Sequence, residues 1–314
     1  MTDPLVSVVI PCYNQAEFLP LAIDSVLAQS YGSIELVVVD DGSTDNTPAV
    51  LAAYAGRVKA VRQINAGLAA ARNAGLAVAT GELVAFLDSD DVLFPDTIER
   101  HVAALTSHPE ASVSYGGCVS IDNAGIELER VTAKPLPDDA FASLLAANRF
   151  PVHAAMVRRA AADEVGNFDS ALRACEDWDW WIRLAAAGHR FVSTNGAWVG
   201  YRRHPASMSA SYSRMLEGGL QVMAKHAQLA RRDRQTRWGL ACGRRSIRYY
   251  AFQQALLPQL KEQLRAGRAT AALKRLLAAS FQDIASLRFF VVEYWCIRLL
   301  TLFHRTVEFE ARSS

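Results

Sequence analysis

Short runs of β-branched and apolar residues alternate with alanine-rich, helically patterned stretches through the first ninety positions. Val6–Ile10, Ile34–Val39, Val58–Gln63 and Leu83–Leu87 predict strands, with helices of roughly ten to thirteen residues between them. Strand, helix, strand at this spacing is a βαβ arrangement, which makes a parallel sheet with helices on both faces. Ligands of such folds gather at the carboxyl ends of the strands. The clusters that follow the strands, Pro11-Cys-Tyr-Asn14, Asp40-Asp-Gly-Ser-Thr-Asp45 and Asp88-Ser-Asp-Asp91, are therefore expected to face one crevice.

The pattern weakens from Pro95 to Asn148, where it predicts a helix around Asp96–Ser107, a strand around Ala111–Tyr115 and a turn at Asp122–Gly125. A second cluster of motifs spans Gly166–Gly188. Beyond about Ser213 strand patterns give way to arginine-rich helical ones, interrupted at Pro258 and Gly267, and the expected boundary divides the chain into 1–213 and 214–314.

Composition adds class and compartment. The 314 residues are 51% hydrophobic and 21% charged, enough to bury a core, which excludes a disordered or fibrous chain. A net charge of +1 argues against a generally basic nucleic-acid binder. The charge is unevenly spread, with 18 Lys and Arg against 7 Asp and Glu from residue 210 onward, and 15 against 25 before it. Five scattered cysteines, with no Cys-x-x-Cys pair, suggest neither a disulfide framework nor a thiolate zinc site and fit a reducing compartment, the cytoplasm. No secretory signal is read at the N-terminus. The apolar stretch Leu287–Phe303 is broken by Arg288, Glu293 and Arg298, short of the roughly 20 apolar residues a bilayer span needs, so no transmembrane helix is expected.

Two clusters carry chemistry. In an extended chain residues two apart share a face, so Asp88 and Asp90 are expected to point together into the crevice as oxygen ligands for Mg²⁺ or Mn²⁺. The plain alternative is a solvated turn before the helix near Pro95. At Asp40-Asp41, Ser43 or Thr44 reads as the N-cap of the next helix. Adjacent carboxylates at a strand end repel unless a cation or hydrogen-bond donor, such as a nucleobase imide or a ribose hydroxyl, sits beside them.

Taken together, Val6 through Pro11-Cys-Tyr-Asn14, Val38-Val-Asp-Asp-Gly-Ser-Thr-Asp45, Gly67 through Ala71-Arg-Asn-Ala-Gly75 and Gly81 through Phe86-Leu-Asp-Ser-Asp-Asp91 resemble family 2 glycosyltransferases of the GT-A fold. Val165-Gly-Asn-Phe-Asp169 and Cys175-Glu-Asp-Trp-Asp-Trp-Trp-Ile-Arg-Leu184 resemble that family's acceptor-side motifs, and the likeness covers roughly residues 5–210. The resemblance implies a Rossmann-like, mostly parallel sheet flanked by helices. It also implies inverting transfer of a sugar from a nucleoside-diphosphate sugar to an acceptor hydroxyl. Pro11, Tyr13 and Asn14 would lie near the nucleotide, Asp40 at the base, and Arg72 near the diphosphate or holding the donor loop, unless it is a helix-surface arginine. Asp88 would face ribose and metal, and Asp90 would be the principal metal ligand. His204, in Tyr201-Arg-Arg-His-Pro, would complete the metal site or touch the diphosphate, with Arg202 and Arg203 as diphosphate contacts or solvated loop residues.

An acceptor hydroxyl needs a general base. Asp177 is the candidate, its pKa expected to be raised beside Trp178, Trp180 and Trp181; Asp179 is the competitor, and Glu176 could orient the acceptor or an arginine. A helix N-terminus that these acids merely complement is the alternative. His153, in Phe150-Pro-Val-His, is read as either a sugar contact or a satisfied core histidine. There is no Gln-x-x-Arg-Trp segment of the kind that processive synthases carry, which favours transfer of single residues to a glycan or lipid-linked acceptor. The basic C-terminal region, with Phe289-Phe-Val-Val and Leu299-Leu-Thr-Leu-Phe303, is read as a peripheral membrane contact, or else as a helical appendage packed on the catalytic domain or pairing two subunits in a homodimer. The competing function is a nucleotide-sugar-binding or scaffolding protein that has lost catalysis. A nucleotidyltransferase would need a glycine-rich, lysine-bearing loop after the first strand, which Pro11-Cys-Tyr-Asn14 is not.

Overall fold

The computed structural model describes residues 3–204, 207–229, 233–251, 256–268, 270–271 and 274–275. The expected βαβ series is present as β1 (Val6–Cys12), α1 (Leu19–Leu27), β2 (Ile34–Asp40), α2 (Thr47–Ala53), β3 (Lys59–Arg62), α3 (Leu68–Val78) and β4 (Leu83–Phe86). β1 pairs in parallel with β2 on one side and β4 on the other, and β2 with β3, so that Cys12 lies beside Asp40 and Asp40 beside Arg62. The strands β1 and β4 are buried along their whole length, as expected of apolar runs covered on both faces.

Next come β5 (Val92–Leu93), α4 (Thr97–Ser107), β6 (Ala111–Ile121), β7 (Glu127–Val131), α5 (Phe141–Ala146), β8 (Ala155–Arg158), α6 (Arg159–Val165), α7 (Glu176–Ala186) and β9 (Arg190–Arg202). The sheet order is β3-β2-β1-β4-β8-β6-β9-β5, with β7 hydrogen-bonded to β6. β8 runs antiparallel to both β4 and β6, while β6 and β9 are parallel. This is an α/β fold with a mostly parallel sheet flanked by helices.

Three local expectations are corrected. The helix after β2 starts at Thr47, with Asn46 at its cap position. Ser43 and Thr44 do not cap it; the Ser43 hydroxyl accepts the Asn14 N–H and the Thr44 N–H donates to Asn14 Oδ1. β6 runs on to Ile121, past Gly116-Gly117, where the pattern suggests its end. β9 goes unpredicted; within it Asn195 adopts a positive φ of 55°, and the β6–β9 register shifts twice around Gly117 as the strand continues.

Three further helices follow, α8 (Tyr212–Lys225), α9 (Arg234–Ala251) and α10 (Leu257–Arg265). Val222, Met223 and Ile247 join the larger core cluster with Leu144, Leu145 and Trp181. α9 lies so close to α5 that a Cβ added at Gly243 would stand 2.1 Å from the Leu145 carbonyl oxygen. Among the described residues no helix is long and apolar enough to cross a membrane. The apolar stretch at 287–303 lies outside the described residues.

Candidate active site

The carboxyl ends of β1, β2 and β4 meet as expected, but the first two clusters are largely satisfied by the chain itself. Asp40 is buried, with Oδ1 accepting the Ser43 N–H at 2.8 Å and Oδ2 3.6 Å from Arg62 Nε. Asp41 accepts from the Ala66 and Gly67 N–H groups and from Gln63 Nε2, at 2.7–2.9 Å. Gly42, next after Asp41, makes the turn at φ +76°, where a Cβ would stand 2.8 Å from Asn65 N. Repulsion between the paired carboxylates is thus answered by internal donors rather than requiring a bound ligand. Asn14, at φ 52°, ties the β1 turn to the β2 turn, and Tyr13 beside it is exposed. Pro11 is buried within β1.

The third cluster is a turn, not an extended segment, since the Asp91 N–H donates to the Asp88 carbonyl at 3.0 Å. The expectation that Asp88 and Asp90 share one face gives way to divergent partners. Asp88 Oδ1 lies 2.6 Å from Arg72 Nη2, while Arg72 Nη1 donates to Glu176. Arg72 is 2% exposed, so it is not a helix-surface arginine but a buried bridge from the acidic turn to α7. Burial would raise the Asp88 pKa, but the Arg72 guanidinium, aided by His153, holds it well below the usual carboxylate range. Asp90 Oδ2 meets His204 Nε2 at 2.9 Å, and the His204 ring stacks 5.3 Å from that of Phe18. Asp88, Asp91 and His153 form a second cluster whose ligand atoms lie within 4.8 Å of one another.

The late basic loop is anchored to the same turn. Asp91 Oδ1 accepts the Arg202 N–H at 2.7 Å. The Arg202 side chain is neither solvated nor open to a diphosphate, because its donors go to the carbonyls of Asp90, Asp122 and Asn123. Arg203 packs over the Tyr201 ring at 4.3 Å.

On the opposite wall, α7 begins at Glu176 after Cys175 in the left-handed conformation (φ 61°). Glu176, Asp177 and Asp179 occupy its first turn, where they complement the helix dipole. Their surroundings differ sharply. Asp179 is fully buried among Arg183 (2.9 Å), Lys225 (3.0 Å) and His226 (2.8 Å), which together outweigh burial and bring its pKa down to about 2. Asp177 is half-buried, accepting from the Trp178 N–H at 2.7 Å and from Asn148 Nδ2 at 3.2 Å. Burial pushes its pKa above the ordinary value, with Arg72 and Asn148 opposing only in part.

A cavity of about 420 Å³ joins the two walls, lined by Arg72, Asp88, His153, Glu176, Asp177 and Trp178 among others. Of the three tryptophans, only Trp178 lines it; Trp180 and Trp181 pack into the core against Phe168 and Phe150. Met215 from α8, with Ser246 and Ile247 from α9, completes the lining.

Residues 7–166 match the sequence model of Glycosyl transferase family 2. The chain belongs to this family. A relative named as a glycosyltransferase in Rickettsia felis is 37% identical over 190 residues, 58% of this chain and 31% of the relative. EpsE of Bacillus subtilis, also named as a glycosyltransferase, is 34% identical over 197 residues, 60% of this chain and 69% of EpsE. The chain thus matches about a third of the length of the first of these curated relatives. The mannosyltransferase PcManGT of Pyrobaculum calidifontis, solved with GDP-Man and Mn²⁺, shares the fold at a TM-score of 0.62 and 21% identity, covering 95% of this chain and 86% of that one. S. aureus TarS 1–349 shares it at 0.54 and 19%, covering 89% and 91%. The fold is therefore that of GT-A glycosyltransferases. Beyond the motifs legible in this family 2 chain, the site includes Asn148, the Asp91–Arg202 link and the α9 wall. Asp91 carried a signal as the last residue of Asp-Ser-Asp-Asp, and Arg202 as part of Tyr201-Arg-Arg-His-Pro, though not for the link they make.

Proposed function

We propose that the chain transfers a single sugar, with inversion, from a nucleoside-diphosphate sugar to a hydroxyl of a glycan or lipid-linked acceptor. The observation that carries this reading is that Asp177 and the acidic turn open on one cavity, joined through Glu176 and Arg72. Asp177 is the general base: it is the first-turn carboxylate of α7 whose pKa is raised and which faces the cavity without a cation bound to it directly. Asp179, held by Arg183 and Lys225 and hydrogen-bonded to His226, is a poor base. Asp40, with Pro11, Tyr13 and Asn14, forms the nucleotide side, and Arg72 acts by holding Asp88 and Glu176 in place rather than by touching the diphosphate.

The residues present fit a divalent cation. Asp90 and His204, with side chains 20% and 6% exposed and facing atoms 2.9 Å apart, offer an oxygen and an imidazole nitrogen, with Asp88 on the same turn keeping one carboxylate oxygen free of Arg72. We assign Asp88, Asp90 and His204 to hold Mn²⁺ or Mg²⁺, which when bound supplies positive charge against the leaving diphosphate. The test is calorimetric binding of UDP-, GDP- and dTDP-sugars with Mn²⁺ or Mg²⁺ and again with chelator, GDP-mannose being the first probe because the PcManGT structure holds it. Metal-dependent binding of one donor is expected. Binding of none overturns the reading and favours the scaffold alternative.

Residues 214 onward are proposed as a helical appendage of the catalytic domain, itself spanning residues 1–213, that contacts the cytoplasmic face of an anionic membrane. In support, the outer face of α9 exposes Arg234, Arg237, Arg244 and Arg245 beside Trp238, itself 63% exposed. Flotation of the intact chain with anionic vesicles is expected; a dimer in solution without flotation would assign the region to subunit pairing instead.

A further inference from the structure

His153 lies on the short helical turn that leads into β8, and the antiparallel pairing of β8 with β4 sets it under the Asp88–Asp91 turn. It is 3% exposed. Its Nδ1 stands 3.0 Å from Asp91 Oδ2 and 3.9 Å from Asp88 Oδ2, and Asp91 is itself fixed by the Arg202 N–H. The ring leans on Tyr201 with centroids 5.0 Å apart. Neither ring nitrogen makes a hydrogen bond among the described residues; Nδ1 has the Asp91 carboxylate at ion-pair distance, and Nε2 is left buried without even that in a residue that lines the cavity.

A buried ring nitrogen with no partner is costly, so the site calls for a ligand that satisfies it. An apolar ligand would leave it unpaired. A cation seated among Asp88, Asp91 and His153 would meet the ring at Nδ1, the edge turned toward both carboxylates, and would leave Nε2 unpaired. A hydroxyl both donates and accepts, and so pairs with Nε2 in either protonation state. We propose that His153 is a sugar-recognition residue, its ring held by Asp91 through Nδ1 while Nε2 hydrogen-bonds a hydroxyl of the sugar in the cavity. This rests on the nucleotide-sugar reading above. The hydroxyl belongs to the donor's sugar or to the acceptor's, and the experiment separates them.

Two substitutions split the ring's two roles. His153→Asn keeps an amide near the Nδ1 position and abolishes the Nε2 contact, whereas His153→Gln extends an amide toward the Nε2 position. With Mn²⁺ present, binding of UDP, GDP and their sugars is compared across wild type and both variants, after thermal melts show that both fold. A panel of p-nitrophenyl glycosides then serves as acceptors. If the hydroxyl is the donor's, His153→Asn weakens binding of the sugar nucleotide about tenfold, the loss of a single hydrogen bond, while binding of the bare nucleotide is unchanged. If it is the acceptor's, both affinities hold and the acceptor KM rises about tenfold instead. In either case His153→Gln recovers some of the loss. The proposal is overturned if bare nucleotide or Mn²⁺ binding falls in parallel, which would make the ring a diphosphate or cation group, or if neither variant changes anything. A wild type that binds no sugar nucleotide would instead defeat the reading of function itself.

Discussion

The two walls of the cavity are held together differently. On the proposed nucleotide side, the turns after β1 and β2 are laced by hydrogen bonds across neighbouring βαβ units, as in Asn14 to Ser43 and Thr44, or Asp41 to Ala66 and Gly67. On the proposed acceptor side, the decisive contacts come from elements distant in the chain: Arg72 reaches Glu176 from 104 residues away, and Lys225 and His226 reach Asp179 from 46 and 47 residues away. The first wall is a set of turns that neighbouring βαβ units form together. The second exists only once the whole chain has folded, so its side chains report tertiary position as well as chemistry.

The sharpest way to break the comparison is at Asp177. Asp177→Asn is expected to lower transfer about a thousandfold, roughly 4 kcal/mol of barrier, while donor affinity stays near that of wild type. Asp90→Ala, on the other wall, is expected to reduce metal-dependent donor binding itself. Calorimetry with the donor alongside single-turnover transfer separates the two; equal loss of donor affinity in both variants would erase the division of labour between the walls.

Arg72 is where the walls are joined. Arg72→Met leaves Asp88 and Glu176 facing each other without the guanidinium that neutralises both, and Glu176 is fully buried. Breaking a buried charge network in this way costs about 3 kcal/mol or more, read as a lower urea midpoint at unchanged slope. Retained stability would mean that the two walls stand independently.

Where the strands of the first wall end and where its polar clusters fall were legible in the sequence, because strand ends and turn residues are local features, but the partners of Asp40, Asp41, Ser43 and Thr44 were not. The four parallel strands fall where the β-branched runs lie, and the acidic clusters fall at their ends. The sequence could not say that Arg72 is buried, since the Ala-Arg-Asn segment has the same helical pattern whether its arginine faces water or α7. Nor could it separate Asp177 from Asp179, two carboxylates in one helix turn, because what distinguishes them is Lys225 and His226 arriving from α8. The spacing rule for Asp88 and Asp90 failed for a local reason, a tight turn replacing the extended chain it assumed.

A smaller effect is expected from the outer edge of the acceptor wall. Gly243 lets α9 approach Leu145 and Met223, and Ser246 and Ile247 one turn on line the cavity. Gly243→Val overpacks that contact and costs about 2 kcal/mol. Displacing α9 is expected to raise the acceptor KM without changing donor affinity. A parallel fall in donor affinity would show that α9 supports both walls.

The least disruptive probe is Asn148, an exposed residue whose amide donates to Asp177 Oδ2 at 3.2 Å. A base is active when deprotonated, so transfer falls as pH drops through the Asp177 pKa, which burial already lifts above the ordinary carboxylate value. The Asn148 hydrogen bond favours the charged form. Removing it in Asn148→Ala should therefore carry the acidic limb of the rate profile further toward neutral pH and leave the plateau rate at higher pH nearly intact. Asp177→Asn should abolish that limb altogether, since no carboxylate remains to titrate. An acidic limb that ignores Asn148 would place the titrating base elsewhere than Asp177.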